Sequence, residues 1–446
     1  MAQIKIWEPE NAAFWAKEGK TVAYRNLWIS IPSLLLSFAI WVIWSVLAVN
    51  LNNIGFHFTT AQLFTLTALP GLIGATLRIV YSFTVPIFGG RNWTVISTAL
   101  LLIPAFGIGA AVKDPTTTFG QMALWSALCG LGGGNFASSM ANISFFFPKK
   151  LQGTALGLNG GLGNLGVSVA QFVIPLIIGI GVFGGQTQTW NQTGVHKAIW
   201  LQNAAYIWIV PILLTTIIAF FGMNNLPTAK ASLAEQFVIF RRKHMYLLTW
   251  LYTTAFGSFI GYSAAFPLLI KAQFPAVNPL QFAFLGALVG ALFRPLGGML
   301  ADKLGGAIVT LWDFVAMILA TAGVIYFISG GRQNFAGFLI LFIILFMTTG
   351  IANGSIFRVI PHVFRKPKEA AATVGFSSAI AAYGAYFVPQ IFGWSLNNTG
   401  SARAALDIFI ACYVISLFVT WFWYVRGNAE TNHLQSVGVK RLDLSH

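Results

Sequence analysis

The sequence predicts an all-α membrane protein with twelve transmembrane helices in two pseudo-symmetric six-helix halves, and three observations predict it. Of the 446 residues, 57% are hydrophobic and only 8% are charged, whereas soluble domains carry about 25% charged residues. Twelve stretches come near the roughly 20 apolar residues that a helix needs to cross the hydrocarbon core. Landmarks of the first half also recur in the second at a nearly constant shift.

In order, the expected spans are residues 28–50, 63–86, 93–112, 119–146, 153–180, 199–222, 246–270, 279–301, 307–328, 335–361, 370–396 and 404–425. The polar residues 1–27 form an expected cytoplasmic N-terminal segment, with no cleavable signal, because the first apolar run is already long enough to span. Within that segment Trp7, Phe14 and Trp15 are expected at headgroup level, where aromatic rings concentrate. The first half is 28–222, the second 246–426, the stretch 223–245 a cytoplasmic linker and 427–446 a cytoplasmic tail.

Charge sets the orientation. With the N-terminus cytoplasmic, 18 of the 26 lysines and arginines fall on the cytoplasmic side, and five (Lys113, Lys197, Lys271, Arg332 and Arg403) fall on the other. Cytoplasmic loops carry such an excess, so both termini are expected on the cytoplasmic side. The same bias accounts for the net charge of +15 without a nucleic-acid partner. Cys129 and Cys412 lie within spans and show no metal or redox spacing.

The repeat is carried by particular residues. GLIGATLR ends at Arg78 and GALVGALFR at Arg294, an offset of 216. Each arginine follows a Gly-Ala pair (Gly74-Ala75, Gly290-Ala291) and precedes a Gly-Gly pair (Gly89-Gly90, Gly305-Gly306). Gly161 opens a run ending at Pro175 and Gly375 one ending at Pro389, both offset by 214, while the loops FFFPKK and VFRKPK stand just before these runs. Two equivalent six-span halves imply a pseudo-two-fold axis along the membrane normal, the arrangement of the major facilitator superfamily.

Arg78 and Arg294 are the chemical anomaly. An intramembrane arginine costs several kcal/mol and is a functional candidate by default. If the two converge on a central cavity, a bound monoanion relieves their repulsion, and planar guanidinium forks suit a planar oxyanion. Asn159, Asn164 and glycine backbone could add neutral donors, and aromatic side chains could wall the ion's faces. Asp313 is the carboxylate expected well inside a span, about two turns from a cytoplasmic helix end, and no span interior holds a histidine. Asp313 and Arg358 are expected to pair locally or to snorkel to the interface, and His362 lies close to Arg358. No paired carboxylates, metal cluster or nucleophile with a positioned base suggests catalysis, so neither an enzyme nor a cofactor is expected.

Glycine is concentrated in the fifth span, at Gly153, Gly157, Gly160, Gly161, Gly163 and Gly166. In lipid such density lets helix backbones approach closely, which suits helices that slide or rock. Gly161, Gly163 and Gly166 also match G-x-G-x-x-G, but a dinucleotide site needs a preceding strand and a soluble helix.

Taken together, GGLGNLGVSVAQFVIP, GFSSAIAAYGAYFVPQIFG, NFASSMANISFFFPK and the two arginine contexts resemble the nitrate/nitrite porters (NarK type) of the major facilitator superfamily, over nearly the whole chain. GGMLADKLGG also looks like the superfamily's loop motif. The resemblance implies that Arg78 and Arg294 bind nitrate or nitrite, that Phe136 and Phe256 close on its faces, and that Tyr252 and Asn164 donate hydrogen bonds. Gly157, Gly160, Gly161, Gly163, Gly166, Gly375 and Gly384 would be signature or gating glycines. Expected partners are the two anions and the lipid bilayer, with a monomer as the working unit. Nitrate/nitrite antiport, proton-coupled nitrate symport and an anion channel all stay open, with antiport preferred because no central carboxylate offers itself as a proton carrier.

Overall fold

A computed structural model describes residues 4, 6–185, 187–192, 195–226, 238–330, 332–364, 366–429 and 431. Among these, ten helices are long and apolar enough to cross a membrane. They are α1 (Ala12–Ile54), α2 (Thr60–Tyr81), α3 (Gly90–Ala111), α5 (Lys149–Ile177), α6 (Asn203–Gly222), α7 (Lys243–Gln273), α8 (Pro279–Leu304), α9 (Gly306–Ile328), α10 (Phe335–Val363) and α12 (Arg403–Val425). The remaining two expected spans are each two helices in series: α4a (Phe119–Leu128) with α4b (Gly130–Phe146), and α11a (Pro367–Ala382) with α11b (Gly384–Thr399). All twelve runs are thus helical; short turns also fall at residues 42–43, 82–83, 100–101 and 207–208 within them, and the interruptions at Cys129 and Tyr383 are two that the sequence did not suggest.

Both interruptions have a packing cause. A Cβ on Gly130 would lie 2.7 Å from the backbone nitrogen of Gly74, and one on Gly384 would lie 2.2 Å from Gly257 Cα. Each break therefore falls just before a glycine pressed onto the backbone of another helix, a contact only glycine permits.

Local signals explain the helix starts. Thr59 with Gln62 and Thr118 with Gln121 form complete capping boxes at α2 and α4a, in which side chains satisfy the first orphan amides. Asn334 caps α10 through Gly337 N. The repeated Gly-Gly pairs turn the chain between helices: Gly89 has φ +83° before α3 and Gly305 has φ +97° before α9, a region that L side chains rarely adopt.

Contacts divide the chain into two compact units. The first is built on α1 to α6 with Ser263–Lys271 and Pro275–Phe284, and the second on the remainder of α7 and on α8 to α12. In the first, α5 lies against α1 so closely that a Cβ on Gly166 would be 2.0 Å from Leu35 O. In the second, α10 lies against α8 with Gly350 over Gly290 O and Gly354 over Arg294 O.

The N-terminal aromatic residues pack against the first unit. Trp7 is only 6% exposed, donates from Nε1 to Phe145 O at 3.0 Å and packs edge-on to Phe14 and Phe146. Buried indoles need such a partner, and the carbonyl at the end of α4b supplies it. Glu10 holds the segment down by accepting from Lys149 N at the start of α5. A further element absent from the sequence reading is a hairpin, β1 (Gln188–Gln192) paired antiparallel with β2 (Val195–Ile199), between α5 and α6. Of the expected linker, residues 227–237 lie outside the described residues, as do Arg365 and the tail beyond 429 apart from residue 431.

Candidate functional site

In the first unit Arg78 sits near the end of α2 and is 1% exposed. Its Nε donates to Gly133 O on α4b at 2.9 Å. That bond is possible because α2 and α4b meet at glycines: a Cβ on Gly133 would lie 2.8 Å from Gly74 Cα. The guanidinium carbon is 4.7 Å from the Phe136 ring centroid and 5.0 Å from that of Trp41, within the range of cation–π attraction. Trp41 is itself fixed by donating to Pro70 O at 2.7 Å. Gly160 on α5 backs this cluster, since a Cβ there would lie 3.4 Å from the Phe136 ring. Asn164, about one turn further along α5, is 2% exposed and its Oδ1 has no hydrogen-bond partner among the described residues.

In the second unit Arg294 is held by side chains. Its Nη2 donates to Tyr252 Oη at 3.4 Å, and its guanidinium carbon lies 5.1 Å from the Phe357 ring centroid. Tyr252 is stacked between Phe357, at 4.4 Å and 12°, and Phe256, at 5.7 Å and 5°. Both Tyr252 and Phe256 are fully buried. Arg294 Nη1 is buried and has no hydrogen-bond partner among the described residues. A buried guanidinium N–H without an acceptor is costly, and an anion would remove that cost.

The structure thus brings Phe136 to Arg78 and Tyr252 to Arg294, with Phe256 stacked on Tyr252. Sequence reading missed Trp41, Phe357 and the Gly133 carbonyl. Trp41 sits in an apolar run and Phe357 in IANGSIFRVIP, and nothing in the sequence marks either ring as facing Arg78 or Arg294. The glycines separate into two kinds: Gly163, Gly166 and Gly384 pack onto neighbouring chain, whereas added Cβ atoms at Gly157, Gly161 and Gly375 meet nothing within 4 Å.

Arg358 pairs locally, from Nη2 to Asp302 Oδ2 at 2.5 Å with both side chains well exposed, and His362 is exposed near the end of α10. Asp313 departs from expectation. It is 6% exposed, accepts from the Ala352 amide on α10, and its Oδ2 has no hydrogen-bond partner among the described residues. The tight packing of α9 on α10 encloses it before it can reach the interface.

Twelve membrane-length helical runs in two packed units, each holding an arginine against aromatic rings, define the class as a secondary transporter. Residues 29–389 match the family model of the Major Facilitator Superfamily. The chain is 48% identical to the nitrate/nitrite transporter NarU of Escherichia coli K12, covering 95% of this chain and 96% of that one. It is 41% identical to the probable nitrate/nitrite antiporter NarK2 of Thermus thermophilus, over 96% and 97% of the two chains. Among solved structures, that of a D-xylose-proton symporter aligns at TM-score 0.67 and 16% identity, covering 90% of this chain and 97% of that chain, a likeness of fold. The protein belongs to the major facilitator superfamily and, within it, to the nitrate/nitrite transporter family.

Proposed function

We propose that the protein exchanges nitrate for nitrite across the bacterial inner membrane by alternating access. The observation that carries this reading is the buried Arg294 Nη1, which lacks an acceptor beside a tyrosine hydroxyl and two stacked rings. A planar oxyanion supplies acceptors in the plane of the guanidinium fork, and aromatic walls suit its flat faces. Arg78 with Phe136 and Asn164, and Arg294 with Tyr252 and Phe256, are the contacts assigned to the anion. The names of NarU and NarK2 support nitrate and nitrite as cargo.

Exchange follows from charge. An empty carrier must change face with two arginines unneutralised in a low-dielectric interior, where an uncompensated charge costs several kcal/mol. Cargo removes that barrier, so each half-cycle needs an anion. Nitrite-loaded proteoliposomes are expected to take up nitrate without a proton gradient; equal uptake into anion-free vesicles would exclude exchange. In this reading 28–222 and 246–426 are the moving halves, joined by 223–245. Both termini are cytoplasmic, the monomer suffices and no catalysis occurs. Thiol labelling of a cysteine placed in the tail, in intact against opened cells, checks the orientation.

A second reading, proton-coupled nitrate uptake, draws on Asp313, a buried carboxyl with one unpartnered oxygen. Intramembrane carboxyls mark proton paths in many pumps and transporters. Asp313→Asn separates the two: nitrite-driven nitrate exchange persists under antiport, and all uptake is lost under symport.

A further inference from the structure

Helix α7 carries both Tyr252 and Phe256, and it does not run as a regular α-helix. Thr253–Gly257 is a π turn, one extra residue inserted in the helix, an irregularity that recurs at functional sites and is seldom free of cost. Its setting shows what keeps it in place.

On one side of α7 stands a row of buried hydroxyls: Thr249, Thr254, Ser258 and Tyr262. The spacings are five, four and four, and the step of five falls across the π turn, so the extra residue keeps Thr249 on the same side as the others. Every member has a partner. Thr249 Oγ1 lies 2.8 Å from Ser377 Oγ on α11a, Ser416 Oγ on α12 donates to Thr254 Oγ1 at 3.0 Å, and Ser258 Oγ lies 2.8 Å from Tyr413 Oη on α12. Tyr413 Oη also meets Tyr262 Oη. Hydroxyls in an apolar interior are paired; Thr254 and Ser416 also bond carbonyls of their own helices, and the bonds from α12 and α11a join α7 in the register that the π turn sets. From another helix, Gly384 presses against Gly257, the last residue of the turn.

Tyr252, the residue before the turn, reaches Arg294 and Phe357, and Phe256, within the turn, stacks on Tyr252. Were the π turn to relax to α geometry, the helix beyond it would rotate by about 100° relative to the part before it. Tyr252 and Phe256 would then lose their parallel stack. We propose that Tyr413 and Ser416 of α12 are positioning residues of the anion site, whose hydroxyls hold the π turn and thereby set Tyr252 and Phe256 beside Arg294. The inference rests on assigning Arg294, Tyr252 and Phe256 to the anion, and its test is built to separate the two.

The test uses the full-length protein in proteoliposomes, as parent, Tyr413→Phe, Ser416→Ala, the double variant and Ser416→Thr, with 4-fluorophenylalanine at position 256 for ¹⁹F spectra taken without anion. The double variant is expected to show a displaced or second ¹⁹F resonance and a KM for nitrate raised about five- to tenfold, with saturated exchange kept within about twofold, the pattern of lost uniform binding. Ser416→Thr, which keeps the hydroxyl, is expected to match the parent in both readouts. An unchanged resonance in the folded double variant overturns the proposal whatever the cargo is. So does a displaced resonance with unchanged KM. A displaced resonance in a protein whose parent form moves no nitrate supports the positioning role and rejects nitrate as cargo. Should the double variant fail to fold, Ser416→Ala alone carries both readouts, with the same overturning results.

Discussion

The two arginine clusters grow from matching sequence, yet one is held by backbone and the other by side chains. Arg78 is 1% exposed and anchored to the Gly133 carbonyl, between Trp41 and Phe136. Arg294 is partly exposed and makes a 3.4 Å bond to Tyr252. A carbonyl in a packed helix is fixed by the fold, whereas Tyr252 stands next to a π turn and moves with it. The difference teaches that a repeated motif can deliver one preset arginine and one adjustable arginine. We infer that the adjustable side is where the site tightens on its cargo.

Three substitutions test that contrast in decreasing order of effect. Arg78→Lys is expected to be the most damaging, lowering nitrate exchange in proteoliposomes by about 100-fold, because an ammonium can neither hold the Gly133 bond in plane nor offer a fork. Arg294→Lys should also lose most activity, by about tenfold or more, since the Tyr252 contact is long and tolerates rearrangement. A larger loss for Arg294→Lys than for Arg78→Lys would reverse the comparison. Phe357→Leu keeps apolar bulk but removes the π face beside Arg294, and a roughly three- to fivefold rise in KM is expected.

Arg358 supplies the weak end of the scale. It carries the same charge on the same helix as Phe357, but its pair with Asp302 is well exposed, so Arg358→Gln should change thermal stability by less than about 1 kcal/mol. A large loss of stability in a melting curve would show that exposure does not rank these arginines.

Much of the fold was legible because a bilayer imposes length and apolarity on every helix that crosses it. The breaks at Cys129 and Tyr383 were not, since they answer to contacts with Gly74 and Gly257 that are remote in sequence. Trp7 read as an interfacial residue and proved to be a packed one, because its indole found the Phe145 carbonyl. The glycines of α5 read as one group, although Gly166 touches Leu35 O while Gly161 faces open space. Of the site, Arg78 and Arg294 stood out by cost alone, whereas Phe357 and Trp41 were indistinguishable from ordinary apolar rings.

Residue by residue, charge burial and hydrophobic length made legible a twelve-helix membrane protein with a repeat that places Arg78 and Arg294 in matching contexts. Only the tertiary structure decided which carbonyl, ring or hydroxyl each arginine meets, and that α7 keeps a π turn between Tyr252 and Ser258. Those choices depend on the register between helices far apart in the chain, and register is set by packing rather than by composition.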